Sequence, residues 1–127
     1  MTQLSIDPFS PTAANWSRPF EGAPIQKYMA WYKYATQHRE HGKRLERRAL
    51  EAIRKVYDQP GAKISFKHLF EVLRWEDIEL KKKPEDQFKL TNTWHSYFSR
   101  AFIRKYPQLS RFIDVKPLKQ EEHREAA

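Results

Sequence analysis

Cysteine is absent from this chain, which removes disulfides, thiolate zinc sites and thiol nucleophiles together. Glycine is nearly absent too. Only Gly22, Gly42 and Gly61 occur, so there is no glycine-rich loop to cradle a phosphate and no nucleophile elbow. Proline is crowded at the start, at Pro8, Pro11, Pro19 and Pro24, and does not return until Pro60. No apolar run approaches the roughly 20 residues of a membrane-spanning helix, and the first 25 residues lack the apolar segment of a secretory signal. These absences predict a soluble, cytoplasmic protein with no cofactor and no membrane partner.

What the chain does have is positive charge and rings. Twenty-four Lys and Arg against 16 Asp and Glu give +8 over 127 residues, and 14% of the residues are aromatic. So many rings predict a packed core of one domain, not a disordered polycation. Excess positive charge favours a polyanionic partner, most commonly nucleic acid. The first 23 residues carry −1, residues 25–59 carry +5 and residues 60–127 carry +4, so the basic character belongs to the body.

The proline cluster marks residues 1–23 as an irregular leader, which Trp16 and Phe20 should pin onto the domain. From Pro24, the spacing of Ile25, Tyr28, Met29, Tyr32 and Ala35 predicts a helix with those side chains on its buried face, ended or kinked at Gly42. Leu45, Ala49, Ile53 and Val56 continue a stripe on a second helix, stopped by Asp58-Gln59-Pro60-Gly61. Ser65 can cap a third helix, stapled by Ile64 and Leu69, with Phe66, Phe70 and Leu73 on its inner face and Trp75 at its end. Alternating Ile78 and Leu80, the Lys81-Lys82-Lys83-Pro84 break and Phe88-Lys89-Leu90 suggest a small hairpin over 76–90. Thr91 or Asn92 should cap a fourth helix, striped by Trp94, Tyr97, Phe98, Ala101 and Phe102 and ending before Pro107. Phe112, Ile113 and Val115 suggest a last strand, and the charged tail from 118 to 127 should fray.

This order predicts a mainly α fold with a small β component, of helix-turn-helix or winged-helix type: an irregular leader over 1–23, a DNA-binding-like domain over 24–117, and the tail. The fourth helix would be the reader. With Trp94, Phe98 and Phe102 turned inward, its outer side would hold Asn92, Thr93, His95, Ser96, Ser99, Arg100 and Arg104. Short polar groups followed by long cations suit a helix that meets base edges with its N-terminal end and phosphates with Arg100 and Arg104. Lys81, Lys82, Lys83 and Lys89 would anchor phosphates beside it. The expected activity is therefore non-catalytic binding of double-stranded DNA. A turn of about 15 residues departs from the usual 3 to 4 residues of the minimal motif.

Other constellations point elsewhere. Lys43, Arg44, Arg47 and Arg48 form a second basic tract, tempered by Glu40, Glu46 and Glu51. Trp16, Trp31 and Tyr34 fall off the main stripes and are candidate contacts for a host or phage protein, the alternative partner. Glu79-Leu80-Lys81 repeats the acid-x-Lys pattern of some metal-dependent nucleases, with Glu76 or Asp77 as the second carboxylate, a further alternative. His38 and His41 lie three apart without an acidic ligand or the HExxH spacing, so no metal site is expected.

The stretch from about Ala49 to Val115 resembles small phage and prophage proteins with no assigned activity. The likeness is carried by Arg74-Trp75, Phe88-Lys89-Leu90-Thr91-Asn92, the helix Tyr97-Phe98-Ser99-Arg100-Ala101-Phe102, Tyr106-Pro107 and Phe112-Ile113, with similar spacing between them. It departs at Thr91 and Thr93, where that pattern has asparagines. The resemblance implies a mobile genetic element in a bacterial host, hence a regulator of phage DNA or an inhibitor of a host machine.

Overall fold

Four α-helices build the core: α1 (Ile25–Gln37), α2 (Arg39–Val56), α3 (Phe66–Glu79) and α4 (His95–Lys105). The structure, a computed structural model, describes residues 7–13 and 16–115; the first six residues, residues 14–15 and the tail expected to fray over 118–127 lie outside them. α3 packs on both α2 and α4, and α1 packs on α2.

The break between α1 and α2 falls at His38, whose ψ of 39° leaves the helical region, and not at Gly42. Gly42 lies inside α2, where an added Cβ would make ordinary contact with the Phe98 ring at 3.8 Å. Gly42→Ala is therefore expected to stabilise the fold by about 0.5–1 kcal/mol, because alanine has less backbone freedom to lose. A higher midpoint in urea unfolding would show it.

The inner face of α1 is rotated from the one the spacing suggested. Tyr28 and Trp31 are buried, whereas Ile25, Met29 and Tyr32 are 56%, 54% and 41% exposed. The leader explains the rotation: Phe20, itself buried, packs on Tyr28, Trp31 and Tyr97, and Trp16 lies against Trp31. The Tyr28 hydroxyl donates to the Trp16 carbonyl at 2.7 Å. Rings brought from a distant segment thus decide which side of α1 is inside.

α2 turns Leu45, Ala49 and Ile53 inward, as its stripe predicts. The turn after it closes at Gly61, whose φ of 75° suits a residue without Cβ. Ser65 then caps α3, its Oγ accepting from the His68 N–H at 3.3 Å, and Phe66, Leu69, Phe70 and Leu73 are buried.

The expected hairpin over 76–90 is not formed. α3 runs past Trp75 to Glu79, the chain reverses at Lys81 with a φ of 53°, and Pro84–Asp86 makes a short 3-10 turn. The cause is Asp77, a buried carboxylate that extends the helix by one turn and gathers the following loop onto itself. The last expected strand is also absent, since Phe112 belongs to the 3-10 helix Pro107–Phe112. Among the described residues, β structure is limited to one parallel bridge, Ile64 to Ile113. α4 starts three residues later than a Thr91 cap and two later than an Asn92 cap would place it, behind a 3-10 turn at Asn92–Trp94, and Trp94 caps it without a side-chain hydrogen bond.

Candidate functional site

The proposed reading helix is the most enclosed element of the fold. None of the 11 residues of α4 is exposed. Tyr97, Phe98 and Phe102 are buried as expected, but so is Ser99, whose hydroxyl turns back to the His95 carbonyl at 2.8 Å. His95, Ser96 and Arg100 are half-buried, and Arg100 donates to the Ser96 carbonyl at 3.4 Å. Arg104 is committed to the leader. Its guanidinium donates to the carbonyls of Arg18 at 2.7 Å and Pro19 at 2.8 Å, and lies 4.4 Å from the Phe20 ring centre. Thr12 donates to the Lys105 carbonyl from its backbone, and Gln108 donates to the carbonyls of Pro8 and Ser10. Arg104→Ala is expected to cost about 1–2 kcal/mol by leaving carbonyls unpaired and to speed proteolytic cleavage of the leader in a timed digest.

The candidate partner contacts are less exposed than their positions off the stripes suggest. Trp31 is 3% exposed at the centre of the ring cluster. Tyr34 is half-buried: its hydroxyl accepts from the Thr91 N–H at 2.9 Å and donates to the Lys89 carbonyl at 3.3 Å. Trp16 is half-buried against Trp31. The off-stripe positions are off-stripe because the leader and the 80–91 loop pack there.

Asp77, absent from the expected core, is wholly buried. Arg44 donates to both its oxygens, at 2.7 and 2.8 Å, the Phe88 N–H donates at 2.7 Å, and the Lys82 ammonium stands 3.2 Å away. The Arg44 hydrogen bonds are the main reason its carboxyl titrates at about 2 instead of 3.8, helped by the Phe88 amide and Lys82 and opposed by burial. Glu76 pairs with Arg44 and Arg48. Glu79 ends α3 and Lys81 sits in the left-handed turn, so the strand geometry that would set them side by side is missing. Among the described residues, no group of three or more His, Asp or Glu side chains could hold a metal.

The tract on α2 divides in the same way. Arg44 and Arg48 face α3 and its carboxylates, whereas Lys43 and Arg47 are exposed.

Asp77 draws Phe88 to α2, and Tyr34 holds Lys89 and Thr91 to α1. The result is a cationic corner. His38 packs at a tilt against Tyr34 with ring centres 4.5 Å apart, His41 lies 6.2 Å from His38 and 5.6 Å from the Phe88 ring, and Lys89, whose carbonyl accepts from the Tyr34 hydroxyl, is exposed beside them. Burial lowers the His41 pKa, and His38, Lys89 and Arg44 lower it further against the single carboxylate Asp77. Lys81 and Lys83 are exposed on the same loop without an ion pair among the described residues, whereas Lys82 answers to Asp77. Thr93 is exposed in the turn that leads into α4, and the Asn92 side chain lies outside the described residues. Sequence reasoning names Lys89 but gives the two histidines no part. Their three-residue spacing is visible, but their proximity to Lys89 arises only through Tyr34 and Phe88.

Compared with family models, curated proteins and solved structures, the chain has no match. Among the described residues, no helix is long and apolar enough to cross a membrane.

Proposed function

We propose that this protein is a non-catalytic binder of double-stranded DNA that grips the phosphate backbone with Lys89, His38 and His41 at the cationic corner and with Lys81 and Lys83 on the exposed loop that leads to it. The observation that carries this reading is the placing of exposed Lys89 beside His38 and His41 by the hydrogen bonds of Tyr34 and the Phe88 amide, with the nearby Asp77 carboxylate buried and already paired. The succession α2, α3, α4, with α3 packed on both neighbours, supports a helix-turn-helix kind of body. Because α4 is enclosed, the reading is backbone anchoring with little contact to base edges. A role on phage or prophage DNA fits the resemblance of residues 49–115.

The test is a duplex titration across salt. Replacing Lys81, Lys83 and Lys89 together by alanine is expected to flatten the slope of log K against log salt by about 2–3, near 0.9 for each phosphate no longer neutralised. Bound phosphate also favours protonated His41, whose pKa burial holds below 6.5, so affinity should rise as pH falls below that value. The same slope for parent and triple variant, or no duplex binding at low salt, would refute the assignment.

A further inference from the structure

α1 carries a stripe of large apolar side chains that the fold does not use. Ile25, Met29 and Tyr32 are spaced four and three apart on one helix face and stand largely in water. The stripe runs into a cleft of about 470 Å³ between α1, α2 and α4, within the usual size range of ligand sites. Its wall is aromatic, with Trp31, Tyr32, Phe66, Phe98 and Phe102, and Gly42 keeps it open on the α2 side. One wall residue is unusual: the Trp31 indole N–H is buried without an acceptor among the described residues. The rim of the cleft is charged. Lys105 is paired with Glu46 at 2.7 Å, which leaves Arg39 and Lys43, both exposed, as the acting charges. Among the described residues Lys43 pairs only with Glu40, at 3.8 Å, a solvated pair of small energy.

We propose that this cleft and stripe form a docking groove for an acidic amphipathic segment of a partner protein, whose aromatic or long aliphatic anchor fills the cleft. Its apolar side lies along Ile25, Met29 and Tyr32, and its carboxylates meet Arg39 and Lys43. This is the helix-in-groove mode, in which one side supplies spaced apolar contacts and the rim supplies charge. Single-stranded nucleic acid is the rival occupant, because bases stack on rings. The apolar stripe argues against it, since Ile25 and Met29 offer no donor to a phosphate chain.

The experiment is selection from a library of random displayed peptides on the folded protein, followed by titration of one synthetic peptide of the enriched type, read by fluorescence anisotropy. Enriched sequences should combine a Trp, Phe or Leu anchor with Asp and Glu. Reversing the rim in Arg39→Glu with Lys43→Glu, both exposed and therefore harmless to folding, should weaken the peptide about tenfold or more. Gly42→Leu, which fills the cleft without changing charge, should weaken it similarly and leave duplex DNA binding as it was, which separates this groove from the cationic corner. Enriched peptides lacking acids, or rim-reversed protein binding within about twofold of the parent, would overturn the proposal. So would oligothymidylate that binds the parent and fails to bind Gly42→Leu, which would make the cleft a base-stacking platform.

Discussion

Asp77→Ala should be the most damaging change to an ionisable residue, removing about 3–5 kcal/mol, because it takes both short hydrogen bonds from half-buried Arg44, leaving it only the longer Glu76 pair, and leaves the Phe88 amide without its acceptor. A small domain has only about 5–15 kcal/mol to lose. The 80–91 loop hangs on this carboxylate through Phe88 and Lys82, so Lys89 should leave the cationic corner and duplex binding should weaken with stability. Urea unfolding of the variant measures the first effect, and a loss below about 1 kcal/mol would show that the pair is not desolvated as its burial implies. The parent should show the same interaction through acid. A folded-state pKa near 2 against 3.8 stabilises the native form by about 2.5 kcal/mol wherever the carboxylate is ionised in both states. That stabilisation is complete above about pH 4–5 and is lost as pH falls toward about 2, because the unfolded chain takes up the proton first.

Trp31→Ala should cost about 3–5 kcal/mol, the usual penalty for emptying a buried aromatic site. The indole touches Trp16, Phe20, Tyr28, Tyr97 and Phe98, with ring centres 5.3 to 6.2 Å apart, so the leader, α1 and α4 all lose a common support. A surface ring held for a partner would behave differently, since substitutions away from the core usually stay within about 0.5 kcal/mol. Thermal and urea unfolding of this one variant therefore decide between the two roles that Trp31 can have. Leader cleavage should also accelerate, as in Arg104→Ala, because Trp16 and Phe20 lose the surface that receives them.

The helices were legible because their signals are local. Ser65 before Phe66, the Leu45-Ala49-Ile53 stripe and the Asp58–Gly61 stop each lie within one or two turns of the structure they specify. The face of α1 was not legible, since two stripes of similar apolarity compete there and the choice is made by Phe20 from the leader and Tyr97 from α4. The 76–90 segment failed for a related reason. Alternating Ile78 and Leu80 resembles a strand, yet Asp77 between Glu76 and Ile78 is the residue that decides, and its worth depends on Arg44 from another helix. The candidate site divides the same way. Exposed Lys81, Lys83 and Lys89 could be named from polarity alone, whereas Arg104 and Ser99 looked like surface only because the partners that cover them are carbonyls, which every residue has.

The clasp formed by Thr12, Arg104 and Gln108 joins the leader to a segment about 90 residues later, which sets an order on the birth of the molecule. While the ribosome is still making α2 and α3, the side chain of Phe20 has neither Tyr97 nor the Arg104 guanidinium to rest against. At about 5–20 residues per second, that interval lasts roughly 4–17 s. Until Tyr97 and Arg104 have been made, the nascent chain carries the Phe20 ring without the two side chains that later cover it.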